Sequence, residues 1–213
     1  MKITVYQGKG GVGKTPIATN IALDHEYAIG TNEAFHVYDS FIPDERLIAL
    51  DLTESFPLFP DDIDVVFDLA GAISKESHSI TSAICQSDLV IIPIENNVKS
   101  LASGIGTIDE IYDLEDFTGQ CLVVATKLAK GRKEHFGRKE WDKSNDFQNI
   151  KKALKESNIK LPMKPLKLSN AFEAIFEKEK SIAQLCASDP LLNYHYRDVK
   201  AQFDEIYQYI DEV

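Results

Sequence analysis

Four glycines crowd into one eight-residue run, Gly8-Lys9-Gly10-Gly11-Val12-Gly13-Lys14-Thr15, between an apolar stretch at residues 3–6 and a helix-period stretch at residues 16–24. Glycine lets the backbone turn tightly with its N–H groups facing inward, and a helix start adds partial positive charge at the same place. The run satisfies G-x-x-x-x-G-K-(S/T) in the strand–loop–helix setting that a phosphate-binding loop requires. At ordinary residue usage a chance match in a chain of this length is on the order of one in a hundred. Lys14 is expected to bridge β- and γ-phosphate oxygens, and Thr15 to offer its hydroxyl to Mg²⁺. ATP with Mg²⁺ is therefore the expected ligand pair, held by Gly8, Lys9, Gly10, Gly11, Val12, Gly13, Lys14, Thr15 and Pro16.

The rest of the chain supplies a frame for such a loop. Residues 27–31 read as a weak strand, and residues 65–68, 89–94 and 122–126 as apolar runs of strand length. Between the last two, Leu101, Ile105, Ile108 and Ile111 or Tyr112 fall on one face of a helix expected over residues 99–114. Buried strands joined by crossover helices imply a doubly wound α/β fold with a mainly parallel sheet, whose ligands bind at the carboxyl ends of the strands. Asp68 closes the run DVVFD and is the expected second metal carboxylate, with Gly71 three residues on, placed to sense a γ-phosphate. Residues 32–64 fit this scheme poorly, apart from RLIALDL, which reads as an edge hairpin. A C-terminal helix from about Tyr196 should dock Val199, Phe203, Ile206 or Tyr207, Ile210 and Val213 on the body and leave an acidic face outside. No repeat or linker divides the 213 residues, so one domain spanning 1–213 is expected.

No stretch approaches the roughly 18 apolar residues of a membrane span. Met1 is followed within a few residues by the first strand, which leaves no room for a secretory signal, so a cytoplasmic protein is expected. Cys85, Cys121 and Cys186 lack metal or disulfide spacing and read as buried free thiols.

With these motifs in place, the chain resembles the ParA/MinD family of deviant Walker A P-loop ATPases. The resemblance rests on KGGVGKT at residues 9–15, whose extra lysine is the family's signature, and extends in order through DVVFDLAG, QSDLVIIPIENNVKSL, LVVATK and LKLSNAFEAIFEKEKSIAQL. It implies an ATPase that forms an ATP-dependent homodimer, binds DNA without sequence preference, associates with the nucleoid in its ATP form, and is stimulated by a ParB-like partner in plasmid or chromosome partitioning. Lys9 would then reach across the dimer to the partner's nucleotide; the alternative is a lysine contacting its own phosphates. Two departures stand out. Pro16 replaces the usual Thr or Ser and removes an N–H near the α-phosphate, while also biasing Thr15 away from helical geometry. At the end of the second strand the family's Asp-x-Asp motif is missing, with Thr31 and Asn32 in place of the acids. Asn32 can orient a water without accepting a proton, so slow turnover is expected, or a substitute carboxylate such as Glu33 or Asp39.

Net charge is −11, which alone argues against nucleic acid, but it is segregated. Residues 127–167 hold 13 Lys and Arg against 5 Asp and Glu, a net of +8, so the other 172 residues carry −19. Lys127, Lys130, Arg132, Lys133, Arg138 and Lys139 flank an expected loop, and Lys151, Lys152 and Lys155 an expected helix over residues 146–157; all are candidate phosphate contacts. Competing readings are a MinD-like membrane switch, disfavoured by the acidic tail, a bacterial tyrosine kinase, resting only on Tyr194, Tyr196, Tyr207 and Tyr209, and a non-hydrolysing ATP-binding scaffold.

Overall fold

A computed structural model describes residues 1–71, 77–134 and 140–213. Seven strands form one sheet in the order β3-β2-β4-β1-β5-β6-β7, and every pairing is parallel. They are β1 (Lys2–Val5), β2 (Ala28–Thr31), β3 (Leu47–Ala49), β4 (Val65–Asp68), β5 (Leu89–Glu95), β6 (Gln120–Leu128) and β7 (Met163–Lys167). The helices are α1 (Lys14–His25), α2 (His78–Cys85), α3 (Val98–Tyr112), α4 (Asn145–Glu156), α5 (Ala171–Lys178), α6 (Ile182–Ser188) and α7 (Pro190–Ile210).

The side-chain period of a strand explains the layering. On β5, Leu89 and Ile91 join Ile3, Val5, Ile17, Ile21 and Phe203 in a core under α1, α5, α6 and α7. Val90, Ile92 and Ile94 face the other way, into a core with Ile108, Ile111, Phe147 and Ile150 from α3 and α4. Helices thus cover both faces, as the near-continuous apolar runs require. The expected doubly wound α/β fold is present.

Three elements differ from the sequence reading. RLIALDL is not a hairpin: β3 pairs parallel to β2, Ile29 opposite Leu47, and closes that edge of the sheet. β7 was not expected, because its sequence MKPLK is short, charged and interrupted by Pro165. An edge strand with only one neighbour tolerates that proline, since one side of its backbone needs no ladder bond. The C-terminal helix begins earlier, at Pro190, with Asp189 capping the Leu191 N–H at 2.7 Å. Its stripe of Val199, Phe203, Ile206 and Ile210 is buried as expected, whereas Val213 lies beyond the helix. Tyr196, Tyr207 and Tyr209 pack against the same core, and only Tyr194 of the four tyrosines is largely exposed. Tyr207 fastens α7 to α1, donating to Asp24 at 2.7 Å and accepting from Asn20 at 2.6 Å. Cys121 and Cys186 are buried free thiols; Cys85 is free but only half-buried.

The segment 33–46 carries no strand or α-helix. Two 3-10 turns, Tyr38–Ser40 and Asp44–Arg46, bring Tyr38 and Ile42 back against Ala22 and Ile29. Arg46 fixes its far end by donating to the carbonyls of Ala22 and Tyr27.

Candidate nucleotide-binding site

The loop between β1 and α1 lies where the carboxyl ends of β1, β4, β5 and β6 converge, and its shape follows from how its carbonyls are held. Thr126 at the end of β6 donates to the Val12 carbonyl at 2.9 Å, and Lys127 to the Gly11 carbonyl at 2.5 Å. Since the C=O and N–H of one peptide point in opposite directions, fixing these carbonyls outward turns the N–H groups of Val12 and Gly13 inward. Gly11 and Gly13 have φ of 74° and 99°, the left-handed region in which a side chain would be strained. Gly8 donates its N–H to Thr107 of α3 at 3.2 Å, and the buried Gln7 donates to the Ser100 carbonyl at 2.9 Å, which ties the other side of the loop to α3. Gly71 presses on the loop from β4: a Cβ there would stand 2.8 Å from the Gly8 carbonyl oxygen and 3.1 Å from the Gly10 nitrogen. Only a glycine fits.

The helix begins on Lys14, two residues ahead of the expected start. Pro16 is its third residue, where an N–H has no intrahelical partner to lose, so the proline is accommodated and Thr15 is helical despite preceding it. Gly13 caps the helix without a side-chain bond, which leaves the first-turn donors to a ligand.

Beyond the loop a cavity of about 350 Å³ opens, bounded by residues from Gly10 to Pro16, by Glu33, Thr126 and Lys127, and by Leu166, Leu168, Ser169, Phe172 and Glu173. This last group, from β7 and the start of α5, was missed by the sequence reading. Its apolar Leu166, Leu168 and Phe172 with polar Ser169 and Glu173 at the rim suit a flat heteroaromatic ring better than a phosphate. The signal that could have found it is positional: a strand end leading into a helix, on the side of the sheet beside the loop.

Lys14 is 5% exposed and donates to the Lys9 carbonyl at 3.3 Å. Burial pushes its pKa down, opposed by the nearby charges of Asp68 and Glu33. The fold therefore holds a desolvated cation against the loop, which is favourable only when anionic oxygens complete its surroundings. Asp68, at the end of β4 and opposite Val5 and Thr31 of the flanking strands, is 1% exposed. Burial raises its pKa to about 6, against the lowering effect of hydrogen bonds from Tyr38 and Thr15 and of the Lys14 charge. Tyr38 donates to Oδ2 at 2.8 Å, while Oδ1 is buried with no hydrogen-bond partner among the described residues. An orphaned carboxylate oxygen beside the Thr15 hydroxyl is the donor set that a hard divalent cation takes, directly or through its waters, so the residues fit Mg²⁺.

Asn32 is also buried, but its amide is engaged in the fold. Nδ2 donates to Ser79 at 2.8 Å and Oδ1 accepts the Ala70 N–H at 2.7 Å, joining β2 to α2 and to the end of β4. Glu33, the next residue, is half-buried and lines the cavity, and its charge acts on both Lys14 and Asp68. Asp39 is 79% exposed, faces His36 at 3.7 Å and is not among the cavity residues.

Lys9 and Lys127 converge on Glu95 at the end of β5. Lys9 lies 3.5 Å from Oε2, Lys127 pairs with Oε1, and Asn97 donates to Oε2 at 2.6 Å. Burial alone would raise the pKa of Glu95, yet these cations hold it below the ordinary value. Lys127, read from sequence as a DNA contact, lines the same cavity as the loop, with its backbone in the left-handed region at φ 54°. Lys130, Arg132 and Lys133 are exposed beyond it. Arg138 and Lys139 lie outside the described residues. On α4, Lys151, Lys152 and Lys155 are exposed; Lys152 lies 3.7 Å from Glu156, while Lys151 and Lys155 rim an apolar groove.

No family model and no curated protein matches the chain. Solved structures do. An aspartate-to-alanine variant of McdA from Cyanothece, in complex with ATP, superposes with a TM-score of 0.63 at 17% identity, covering 96% of each chain. This is the fold of the ParA and MinD ATPases. The cell division ATPase MinD from Pyrococcus furiosus gives a TM-score of 0.59 at 10% identity, covering 96% of this chain and 99% of that one. A ParA family ATPase from Chlorobium tepidum gives 0.57 at 12%, covering 95% and 97%. At these identities the likeness extends to the fold, and the assignment of chemistry rests on the site itself.

Proposed function

We propose that the chain is a ParA-like ATPase that binds ATP with Mg²⁺, dimerises in that state and holds DNA without sequence preference while positioning a cargo. The observation that carries the reading is the cavity at the loop, lined by the buried Lys14, by Thr15 and by the Glu33 carboxylate, with Asp68 and its orphaned oxygen buried next to Thr15 and Lys14. In it the loop N–H groups and Lys14 bind and orient the phosphates, while Thr15 and Asp68 hold the cation. Mg²⁺, when bound, withdraws charge from the phosphate oxygens. Glu33 orients the attacking water and draws its proton as the water oxygen bonds to the γ-phosphorus and the bond to the β–γ bridging oxygen breaks, releasing ADP and phosphate. Leu166, Leu168 and Phe172 hold the base. Two solved neighbours contain ATP or its analogue AMPPNP, McdA and a Borrelia burgdorferi partition protein, which supports the same ligand here. The test is ATP turnover and oligomeric state, each with and without duplex DNA. A chain that neither hydrolyses ATP nor changes mass with it is not such an ATPase.

One observation favours a second reading. The Asn32 amide is tied to Ser79 and Ala70 and no acid stands at 31 or 32, so a protein that binds ATP without hydrolysing it, as a scaffold, follows if Glu33 is inert. Among the described residues no helix is long and apolar enough to cross a membrane.

Lys9 is the test of dimerisation. Its ammonium is held to Glu95 of its own chain, and action on a partner's nucleotide requires that it exchange this carboxylate for a phosphate. Lys9→Ala should bind a non-hydrolysable ATP analogue within about threefold of wild type, since Glu95 keeps Lys127 as its partner and the loop keeps Lys14. Light scattering should show it monomeric where wild type is dimeric. A dimer surviving in the mutant places Lys9 in cis.

The DNA reading opposes local to overall charge. Beyond a Debye length of about 8 Å the acidic body is largely screened, while lysines at phosphates act at contact range. Four to six contacts per protomer should give a log–log salt slope of roughly −0.9 each. Replacing Lys151, Lys152 and Lys155 by Glu should flatten that slope for any duplex and leave nucleotide affinity alone, as read by fluorescence anisotropy. An unchanged slope assigns these lysines to the solvent.

A further inference from the structure

The carboxylate at the end of β4 is held by a residue that no phosphate-loop pattern contains. Tyr38 is fully buried and its hydroxyl lies 2.8 Å from Asp68 Oδ2. Its other polar neighbour is Thr19, at 3.4 Å, but the single hydroxyl proton of Thr19 goes to the Thr15 carbonyl at 2.7 Å. A carboxylate only accepts, and it is the nearer of the two, so the Tyr38 proton goes to Asp68. With Oδ2 so engaged and Oδ1 without a hydrogen-bond partner among the described residues, one carboxylate oxygen is left for a cation.

The same contact fixes a second element. After Glu33, whose side chain lines the cavity, the chain leaves the body: Phe35 is 98% exposed and Val37 is exposed too. It returns at Tyr38, which stacks on His36 with ring centres 5.9 Å apart and meets Phe41 edge-on at 6.0 Å. Tyr38 is thus the nearest buried anchor on the far side of Glu33, and it is attached to the metal carboxylate itself.

We infer that Tyr38 is a positioning residue that couples the cation at Asp68 to the segment carrying Glu33, so that metal binding and the placement of the Glu33 carboxylate depend on one hydrogen bond. The inference rests on the reading of the cavity as a Mg²⁺–nucleotide site. A hydroxyl that only satisfied a buried tyrosine would influence stability, and its loss would leave the cation requirement where it was. A hydroxyl that orients the ligand sets that requirement, since outer partners of metal ligands typically alter metal affinity about 10- to 100-fold.

Tyr38→Phe keeps the ring and its packing and removes only the hydroxyl. Binding of a fluorescent ATP analogue is titrated at fixed concentration with Mg²⁺, and separately measured in EDTA. The expected result is a rise of about tenfold or more in the Mg²⁺ concentration at half-saturation, with the metal-free nucleotide affinity unchanged. An equal half-saturation point in the two proteins overturns the role of Tyr38 and leaves the site standing; wild type that binds no nucleotide at any Mg²⁺ concentration overturns both. Hydrogen exchange on wild type gives a readout that requires no variant to fold. Amides of residues 33–41 should slow when Mg²⁺ is added to the nucleotide complex, beyond the slowing caused by nucleotide alone, and identical exchange with and without the cation also overturns the coupling.

Discussion

Lys14→Ala should abolish ATP binding and leave the nucleotide-free fold as stable as wild type or more so. Charge-assisted hydrogen bonds contribute roughly 1.5–3 kcal/mol each, and an ammonium bridging two phosphate oxygens makes two, so affinity should fall by about 10²- to 10⁴-fold. The stability half follows from the sign of the pKa shift. Burial holds the folded-state pKa of Lys14 below its unfolded value, so at any pH below both values the charge opposes folding. That penalty lessens only as pH rises from the depressed folded value toward the unfolded one. Alanine removes it, at the cost of the stem's packing and of the attraction to Asp68. Calorimetric titration with a non-hydrolysable analogue reads the first effect; thermal melting with and without the analogue reads the second. Wild type should melt higher with ligand, and Lys14→Ala should not respond. Unchanged affinity in the mutant removes the phosphate-loop assignment.

The same residue shows why part of this site is legible from sequence and part is not. A phosphate loop is local: its glycines, lysine and threonine are consecutive, and the backbone conformations they permit are set by residue type, so Gly11 and Gly13 adopt the positive φ that the motif anticipates. Asp68 is nearly as local, because a buried strand with a terminal carboxylate can be read from VVFD alone. The cavity wall is not. Leu166, Leu168 and Phe172 reach it only because β7 adds to the edge of β6, and that strand is hidden by Pro165 and two lysines. Tyr38 is further still from any pattern: it acts through a contact thirty positions away, in a segment whose composition announces no regular structure. Lys127 was visible as a basic residue, but its partners Gly11 and Glu95 are set by the sheet, and charge counting has no access to them. Position in the sheet, which separates these cases, comes from pairings between distant segments.

The largest effect on turnover should come from Glu33. Where the family that the sequence resembles has acids after the second strand, this chain has Thr31 and Asn32, and three residues could supply the role of those acids. Asn32 has an amide already bonded at both ends and no proton-accepting function, and Asp39 is 79% exposed, so neither places a base at the phosphates. Glu33 lines the cavity and lies close enough for its charge to act on Lys14. Glu33→Gln preserves size and hydrogen bonding while removing both the charge and the ability to accept a proton. Turnover should fall by about 10²- to 10⁴-fold, the usual contribution of a positioned base. Binding should not fall with it, because a negative charge facing the terminal phosphate is repulsive in the ground state. ATP affinity should hold or improve, and the ATP-bound dimer, no longer consumed by hydrolysis, should accumulate under conditions where the wild-type dimer decays. Asp39→Asn provides the comparison and should leave the rate within about twofold, as surface changes away from a site usually do. Single-turnover hydrolysis with saturating Mg²⁺ isolates the chemical step from product release. A Glu33→Gln protein that hydrolyses ATP at the wild-type rate means that the base lies elsewhere, whereas a wild-type protein that binds ATP and never cleaves it makes Glu33 a bystander and leaves the scaffold reading in possession.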